Sequence, residues 1–180
     1  MNTIVFAFAR MSPPTTGHQR LITTLVETAK IYQADHVVYI SQTHDTKTNP
    51  LDWNFKRRVC ESAFRGVNIS NDKSIKNPYL ALEHLSENYN KIILVAGSDR
   101  LESYNSFAEY ANDWNIEFEM ISAGDRIVES NGVEGMSASK MRQYALEKNK
   151  EKFFEGLPTT LNKNVKELVY QNTRKGMIKS

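Results

Sequence analysis

Cysteine is nearly absent from this sequence, long apolar runs are missing, and there is little net charge. One cysteine, Cys60, stands in 180 residues, so a disulfide framework is excluded and a reducing compartment fits. Within the run from Arg58 to Phe64 it reads as a small core residue on a helix. No stretch approaches the roughly 18 apolar residues of a membrane-spanning helix. The segment from Asn2 to Phe8 is apolar but shorter than the apolar region of a signal peptide, and Arg10 follows it. These absences lead us to expect a cytoplasmic protein with no membrane partner. A net charge of only +2 gives no broad basic surface for nucleic acid, although a phosphate ligand needs no more than a local basic site. Two nucleotide motifs are also missing: there is no Gly-Lys-Ser/Thr of a Walker loop and no Gly-x-Gly-x-x-Gly fingerprint. No His/Cys/Asp/Glu cluster has metal-ligand spacing, so no protein metal site is expected.

What is present is a regular alternation. Thr3 to Phe8 is a continuous apolar run and reads as a buried strand, followed by a helical pattern from His18 to about Tyr32. Leu21, Ile22, Leu25, Val26 and Ala29 give that helix its apolar face. His36 to Ile40 reads as a second strand, Gln42 to Asn49 as a polar loop, and Asp52 as the N-cap of a helix to about Phe64. A short strand is expected at Val67–Ile69, a helix from Pro78 to Asn88, and the clearest strand at Lys91–Ala96, closed by Gly97-Ser98-Asp99. A helix over Leu101–Ala111, a fifth strand over Glu117–Ile121 and a helix over Ser139–Asn149 follow. Two short helices, around Glu151–Glu155 and Leu161–Gln171, form the tail. The expected fold is α/β: a doubly wound, mainly parallel five-stranded sheet with helices on both faces and a short helical C-terminal tail. We expect one domain, residues 1–180, with a core at 1–149 and the tail at 150–180. Ligands of such sheets bind beyond the carboxyl ends of the strands.

The loop after the first strand is Ala9-Arg10-Met11-Ser12-Pro13-Pro14-Thr15-Thr16-Gly17-His18. Backbone N–H groups and the dipole at a helix start favour an anion. Gly17 lets the backbone approach a phosphate, and the His18 ring and the Thr15 hydroxyl are able to donate to its oxygens. The same residues also read as a Thr-capped turn with a solvated His. Further along stands Met136-Ser137-Ala138-Ser139-Lys140-Met141-Arg142, where hydroxyls at a helix start and a cation one turn in suit a second anion. Its plain alternative is a Ser-capped helix with an exposed Arg.

Together these segments resemble the two signatures of the nucleotidyltransferase superfamily, H-x-G-H and Ile-Ser-Ser-Thr-x-x-Arg. Thr15 stands at the first His, a variant also found in cytidylyltransferases, and Met136 and Ala138 replace the Ile and the second Ser. The wider pattern is most similar to the archaeal-type nicotinamide-nucleotide adenylyltransferases, whose Asn/Asp-Pro-Phe-Thr-x-x-Glu-Arg run has a counterpart from Asn49-Pro50 to Arg57-Arg58. That resemblance implies a Rossmann-like sheet. It also implies a nucleotide site made of Ala9, Arg10, Thr15, Gly17, His18, Gly97, Asp99, Ser137, Ser139 and Arg142, with His18, Arg142 and Arg10 at the reacting phosphates. On the acceptor side it implies Arg57 or Arg58 at a phosphate, together with Tyr79 and His44. ATP is the expected co-substrate, Mg²⁺ held by triphosphate oxygens and water the expected metal, and a phosphorylated small molecule the expected partner, first of all nicotinamide mononucleotide. Homo-oligomerisation is left open.

The departures bear on the acceptor. That branch stacks nicotinamide on a Trp in the helix after the third strand, where this chain has Asn77-Pro78-Tyr79-Leu80 and no Trp. A cytidylyltransferase acting on a phosphorylated alcohol stays open, as does a non-catalytic nucleotide-binding protein of this fold. A class I aminoacyl-tRNA synthetase fragment shares the H-x-G-H logic, but near-neutral charge and short length count against it. Elsewhere, Trp53 and Trp114 read as packing residues, His36 as structural, His84 as surface, and Asp125-Arg126 as a loop able to close over the site or simply solvated.

Overall fold

The computed structural model of the chain describes residues 2–124 and 136–178. These divide into two compact units, one of residues 2–9, 21–39 and 67–124, the other of residues 10–20, 40–66 and 136–178.

The first unit is built on a sheet of four strands: β1 (Thr3–Ala9), β2 (Asp35–Ile40), β3 (Lys91–Ala96) and β4 (Glu117–Ser122), in the order β2-β1-β3-β4. β1 and β3 pair in parallel with Thr3 opposite Lys91, and β3 and β4 in parallel with Lys91 opposite Glu117. The chain moves outward from β1 to β2, then returns to place β3 on the other side of β1. The order therefore reverses between β1 and β3, and the segments leaving their carboxyl ends begin at Arg10 and Gly97.

The apolar runs of β1 and β3 follow from burial on both faces. Ile4, Phe6, Ile92 and Leu94 share a core with Val37, Tyr39, with Ala81, Leu82 and Leu85 of α3 (Pro78–Ser86), and with Phe107 of α4 (Phe107–Asp113). The alternate residues Val5, Ala7, Ile93 and Val95 are at most 1% exposed. α1 (Thr16–Tyr32) is the crossover between β1 and β2 and buries Leu25 and Ala29; the general right-handedness of such crossovers would lay it over that second face. β4 is one of the two edges, and Lys91 pairs with its Glu117 at 2.9 Å, leaving charge where an unpaired edge would otherwise invite another strand.

The sheet has four strands, not the five expected. Val67–Ile69 makes only an isolated parallel bridge, Val38 to Ile69. Gly66 before it takes a positive φ of 81°, and the Asp72 carboxylate accepts from the Ser74 N–H at 2.9 Å just beyond it, so the chain turns before pairing extends. The expected helix over Leu101–Ala111 is a 3₁₀ segment, Ser98–Tyr104, followed by α4. Asn105 and Ser106 mark the break, residue types that favour caps and turns over helix interiors.

The second unit holds α2 (Trp53–Ala63), α5 (Ala138–Leu146), α6 (Lys150–Gly156) and α7 (Lys163–Ile178). Asp52 caps α2 as expected, accepting from Phe55 N–H at 2.9 Å. Cys60 is fully buried on α2. Phe153 packs edge-on against Tyr170 at 5.3 Å, and Lys150 pairs with Glu167 at 2.6 Å, joining α6 to α7. α7 extends beyond the expected end at Gln171, because Gly176 lies inside the helix where its missing side chain admits the Pro50 carbonyl.

Candidate functional site

Both signature segments fall in the second unit. Thr15 stands just before α1, and its hydroxyl oxygen accepts from the N–H groups of Gly17 at 3.1 Å and His18 at 3.3 Å. This is the N-cap arrangement a Thr at this position favours. In return the Thr15 backbone N–H donates to His18 Nδ1 at 3.1 Å. A backbone N–H has only a proton to give, so Nδ1 is the acceptor and the imidazole proton resides on Nε2. His18 is 7% exposed, so it is a buried ring with a fixed tautomer rather than a solvated one. Gly17 has no positive φ, so it contributes the absence of a side chain rather than an unusual backbone.

The second signature behaves similarly. The Ser137 hydroxyl caps α5, accepting from Lys140 N–H at 3.3 Å. One turn in, the Arg142 guanidinium is 7% exposed, donating through Nη1 to the Ser12 carbonyl at 3.0 Å and through Nη2 to Ser139 Oγ at 3.2 Å. The Met136 N–H donates to Thr16 Oγ1 at 3.1 Å. The two signatures, far apart in the chain, are thereby tied to each other. Ser12 also accepts from Leu51 N–H at 3.2 Å through its hydroxyl, which brings the segment after β2 to the same place. Burial lowers the Arg142 pKa, and repulsion from the exposed Arg10 lowers it further, against the attraction of Asp45.

The segment after β2 contributes a cation that the sequence reading passed over. Lys56, on α2, is wholly buried. Its ammonium donates to Asn49 Oδ1 at 2.8 Å, and the Asn49 amide is held by Ser41 Oγ at 3.2 Å and Thr43 Oγ1 at 2.7 Å. Burial, with repulsion from Arg10, pushes its pKa down to about 8. A signal for it existed. Counted from Asn49-Pro50, the residue at the Arg position of Asn-Pro-Phe-Thr-x-x-Glu-Arg is Lys56. Arg57 pairs instead with Glu61 at 3.2 Å and lies 4.9 Å over the Trp53 ring, while Arg58 is exposed. Asp45 shapes the loop: its carboxylate takes the N–H groups of Lys47, Thr48 and Asn49 and the Thr48 hydroxyl, which hold its pKa at about 2. His44 is exposed, donates through Nε2 to the Pro50 carbonyl at 3.1 Å, and lines an open cavity of about 450 Å³ with Phe55 and Lys175.

The remaining expected residues belong to the first unit. Ala9 is the buried last residue of β1. Asp99 is exposed, and its carboxylate lies over Gly97, 2.8 Å from where a Cβ there would be. Tyr79 packs edge-on to Tyr110 at 5.0 Å and tilted to Trp114 at 5.9 Å, in an aromatic cluster against the core. His36 accepts from Asn68 N–H at the start of β2, and His84 is exposed on α3. Asp125, Arg126 and Gly135 lie outside the described residues. Among the described residues, no group of three or more His, Cys, Asp or Glu is placed to hold a metal ion, and no helix is long and apolar enough to cross a membrane.

No family model matches the sequence, and no curated protein matches it. Solved structures do match in fold. A bifunctional nicotinamide mononucleotide adenylyltransferase/ADP-ribose pyrophosphatase from Francisella tularensis is similar with a TM-score of 0.60 and 15% identity, over 97% of this chain and 53% of that one. The same enzyme with AMP and a manganese ion is similar at 0.55 and 16% identity, over 97% and 52%. The Thermotoga maritima protein TmcAL is similar at 0.61 and 12% identity, over 98% of this chain and 58% of that one, and its complex with α-thio ATP at 0.57 and 12%, over 98% and 57%. The chain thus spans little more than half the length of these proteins. At such identities the likeness establishes a fold: this chain is an α/β protein with a parallel sheet, built as part of these two proteins is built.

Proposed function

We propose that the chain is a nucleotidyltransferase that moves a nucleotidyl group, AMP from ATP in the first instance, onto a phosphorylated acceptor and releases pyrophosphate. The observation that carries this reading is the stitching of the two signatures: Met136 N–H to Thr16 Oγ1, and buried Arg142 to the Ser12 carbonyl. A helix start bearing a fixed imidazole donor and a second helix start bearing a buried guanidinium then belong to one anion site. The fold shared with an adenylyltransferase and with a protein solved with α-thio ATP supports ATP as the nucleotide.

In this reading a phosphate oxygen of the acceptor attacks the α-phosphorus, the bond from that phosphorus to the bridging oxygen breaks, and pyrophosphate departs with the electron pair. The acceptor phosphate is already ionised near neutral pH, so no strong base is required, and catalysis rests on alignment and charge stabilisation. His18 donates from Nε2 to the oxygens that gain charge. Arg142, with Ser137 and Ser139 beside it, holds the departing β- and γ-phosphates, and Arg10 offsets charge at the mouth of the site. Mg²⁺, carried on triphosphate oxygens and water, supplies Lewis-acid polarisation when bound.

Nicotinamide mononucleotide is the first acceptor to test, by the resemblance of the Asn49–Arg58 run. A phosphorylated alcohol with CTP is the second, favoured by Thr15 at the first signature position and by the packing of Tyr79 against Tyr110 and Trp114. Pyrophosphate release from ATP and from CTP over a panel of phosphorylated acceptors decides. Release that needs both triphosphate and acceptor is expected, and no release from any pair would overturn the reading.

A further inference from the structure

Buried polar groups in folded proteins find hydrogen-bond partners, and one that does not is informative. Tyr39, near the end of β2, is such a residue. It is 4% exposed, and its ring packs edge-on against Phe6 at 6.2 Å. Its hydroxyl has no hydrogen-bond partner among the described residues. Burial, with Asp72 and Tyr89 nearby, pushes its pKa up to about 12, so it stays a donor at any working pH.

Tyr39 lines an open cavity of about 470 Å³ that lies wholly within the first unit. The volume is that of a small-molecule pocket. Its floor is apolar: Ile4 of β1, Val37 of β2 and Leu85 of α3 are each at most 6% exposed. Its rim is polar and exposed, with the side-chain amides of Asn71 and Asn88 and the His84 imidazole. No Asp, Glu, Lys or Arg lines it. The carboxylates near by are engaged: Asp72 accepts from the Ser74 N–H and hydroxyl, and Asp35 from the Tyr89 hydroxyl.

We propose that this cavity binds an uncharged planar heterocycle, a nucleobase or a pyridine carboxamide, that lies on the apolar floor and accepts a hydrogen bond from the Tyr39 hydroxyl. The lining decides the class. An anion would meet no lysine or arginine and a cation no carboxylate. A sugar would press hydroxyls against Ile4, Val37 and Leu85, where nothing pairs with them. A flat ring has apolar faces for that floor and a polar edge for the rim, whose amides both donate and accept. None of the lining residues belongs to the segments at Arg10–His18 or Met136–Arg142, so the inference does not rest on the transfer reading.

The test is a ligand-observed NMR titration of the whole chain with nicotinamide, cytosine and uracil. Nicotinate is the control, because it keeps the pyridine ring and carries a carboxylate. At least one neutral ring should bind with a dissociation constant on the order of 1 mM or below, the range open to so small a ligand, and nicotinate should bind at least tenfold more weakly than nicotinamide. Tyr39→Phe, which keeps the ring packing, should weaken binding about tenfold while melting as the wild type does. Asn71→Trp, a change at the exposed rim that fills the mouth, should abolish it. Both variants should keep the pyrophosphate release of the wild type, and His18→Ala should keep the binding. Binding of none of the three rings overturns the inference. So does binding that Tyr39→Phe and Asn71→Trp leave unchanged, or that His18→Ala removes, which would assign the ring to the transfer site.

Discussion

Thr15 acts through both its side chain and its backbone. Its hydroxyl caps α1, and its backbone N–H sets the His18 tautomer. Thr15→Val keeps the shape and the backbone donor but removes the cap, so we expect it to cost about 1 kcal/mol of stability in denaturant unfolding, with Thr15→Ser close to the wild type. His18 carries the chemistry in the proposed reaction. His18→Ala should fold and should lower turnover about 10²–10³-fold, by analogy with loss of a single oxyanion donor, in a pyrophosphate-release assay. His18→Asn, which offers a neutral donor at similar reach, should recover part of that loss. Unchanged turnover in the folded His18→Ala protein would remove the imidazole from the mechanism.

At the scale of elements, what could be read in advance was what local pattern dictates. The continuous apolar runs of β1 and β3 announced strands buried on both faces, and Asp52 and Ser137 announced helix starts. Three features needed the tertiary structure. Val67–Ile69 has a strand's composition but a single bridging residue. The helix after Gly97 breaks at Asn105–Ser106, a boundary local propensity marks only weakly. Lys56 was passed over because the resemblance was matched to the neighbouring Arg57 or Arg58 by residue type, and packing then shows that Lys56 alone of the three is buried. Gly176 gives this scale its test. A Cβ there runs into the Pro50 carbonyl, a backbone atom with little room to move. Gly176→Ala should therefore destabilise the protein by about 1–3 kcal/mol in urea unfolding, although alanine is the better helix former. A stabilised variant would show that α7 does not press on Pro50 as described.

For the whole molecule, stability should carry the mark of its buried amine. Between pH 8 and the ordinary lysine value of 10.5 the unfolded chain keeps a proton that folded Lys56 has released, so this group adds stability as pH rises through that window. Cys60 works in the opposite sense, since the unfolded thiol ionises from its ordinary value of 9.0 while the folded one stays protonated. The difference between wild type and Lys56→Met isolates the lysine. In urea midpoints measured from pH 7 to 10, the wild type should gain on the variant above pH 8, and a constant difference would contradict a deprotonating amine.

In the proposed function one site, made by the segment at Thr15–His18 and the segment at Ser137–Arg142, binds a triphosphate and releases pyrophosphate from it. The most direct measurement is pyrophosphate release by the purified chain with ATP, Mg²⁺ and nicotinamide mononucleotide, then with CTP and phosphorylated alcohols, beside His18→Ala and Arg142→Ala. Acceptor-dependent release with at least one pair is expected, reduced about a hundredfold or more in both variants. Release from no pair, or release indifferent to both substitutions, would contradict it.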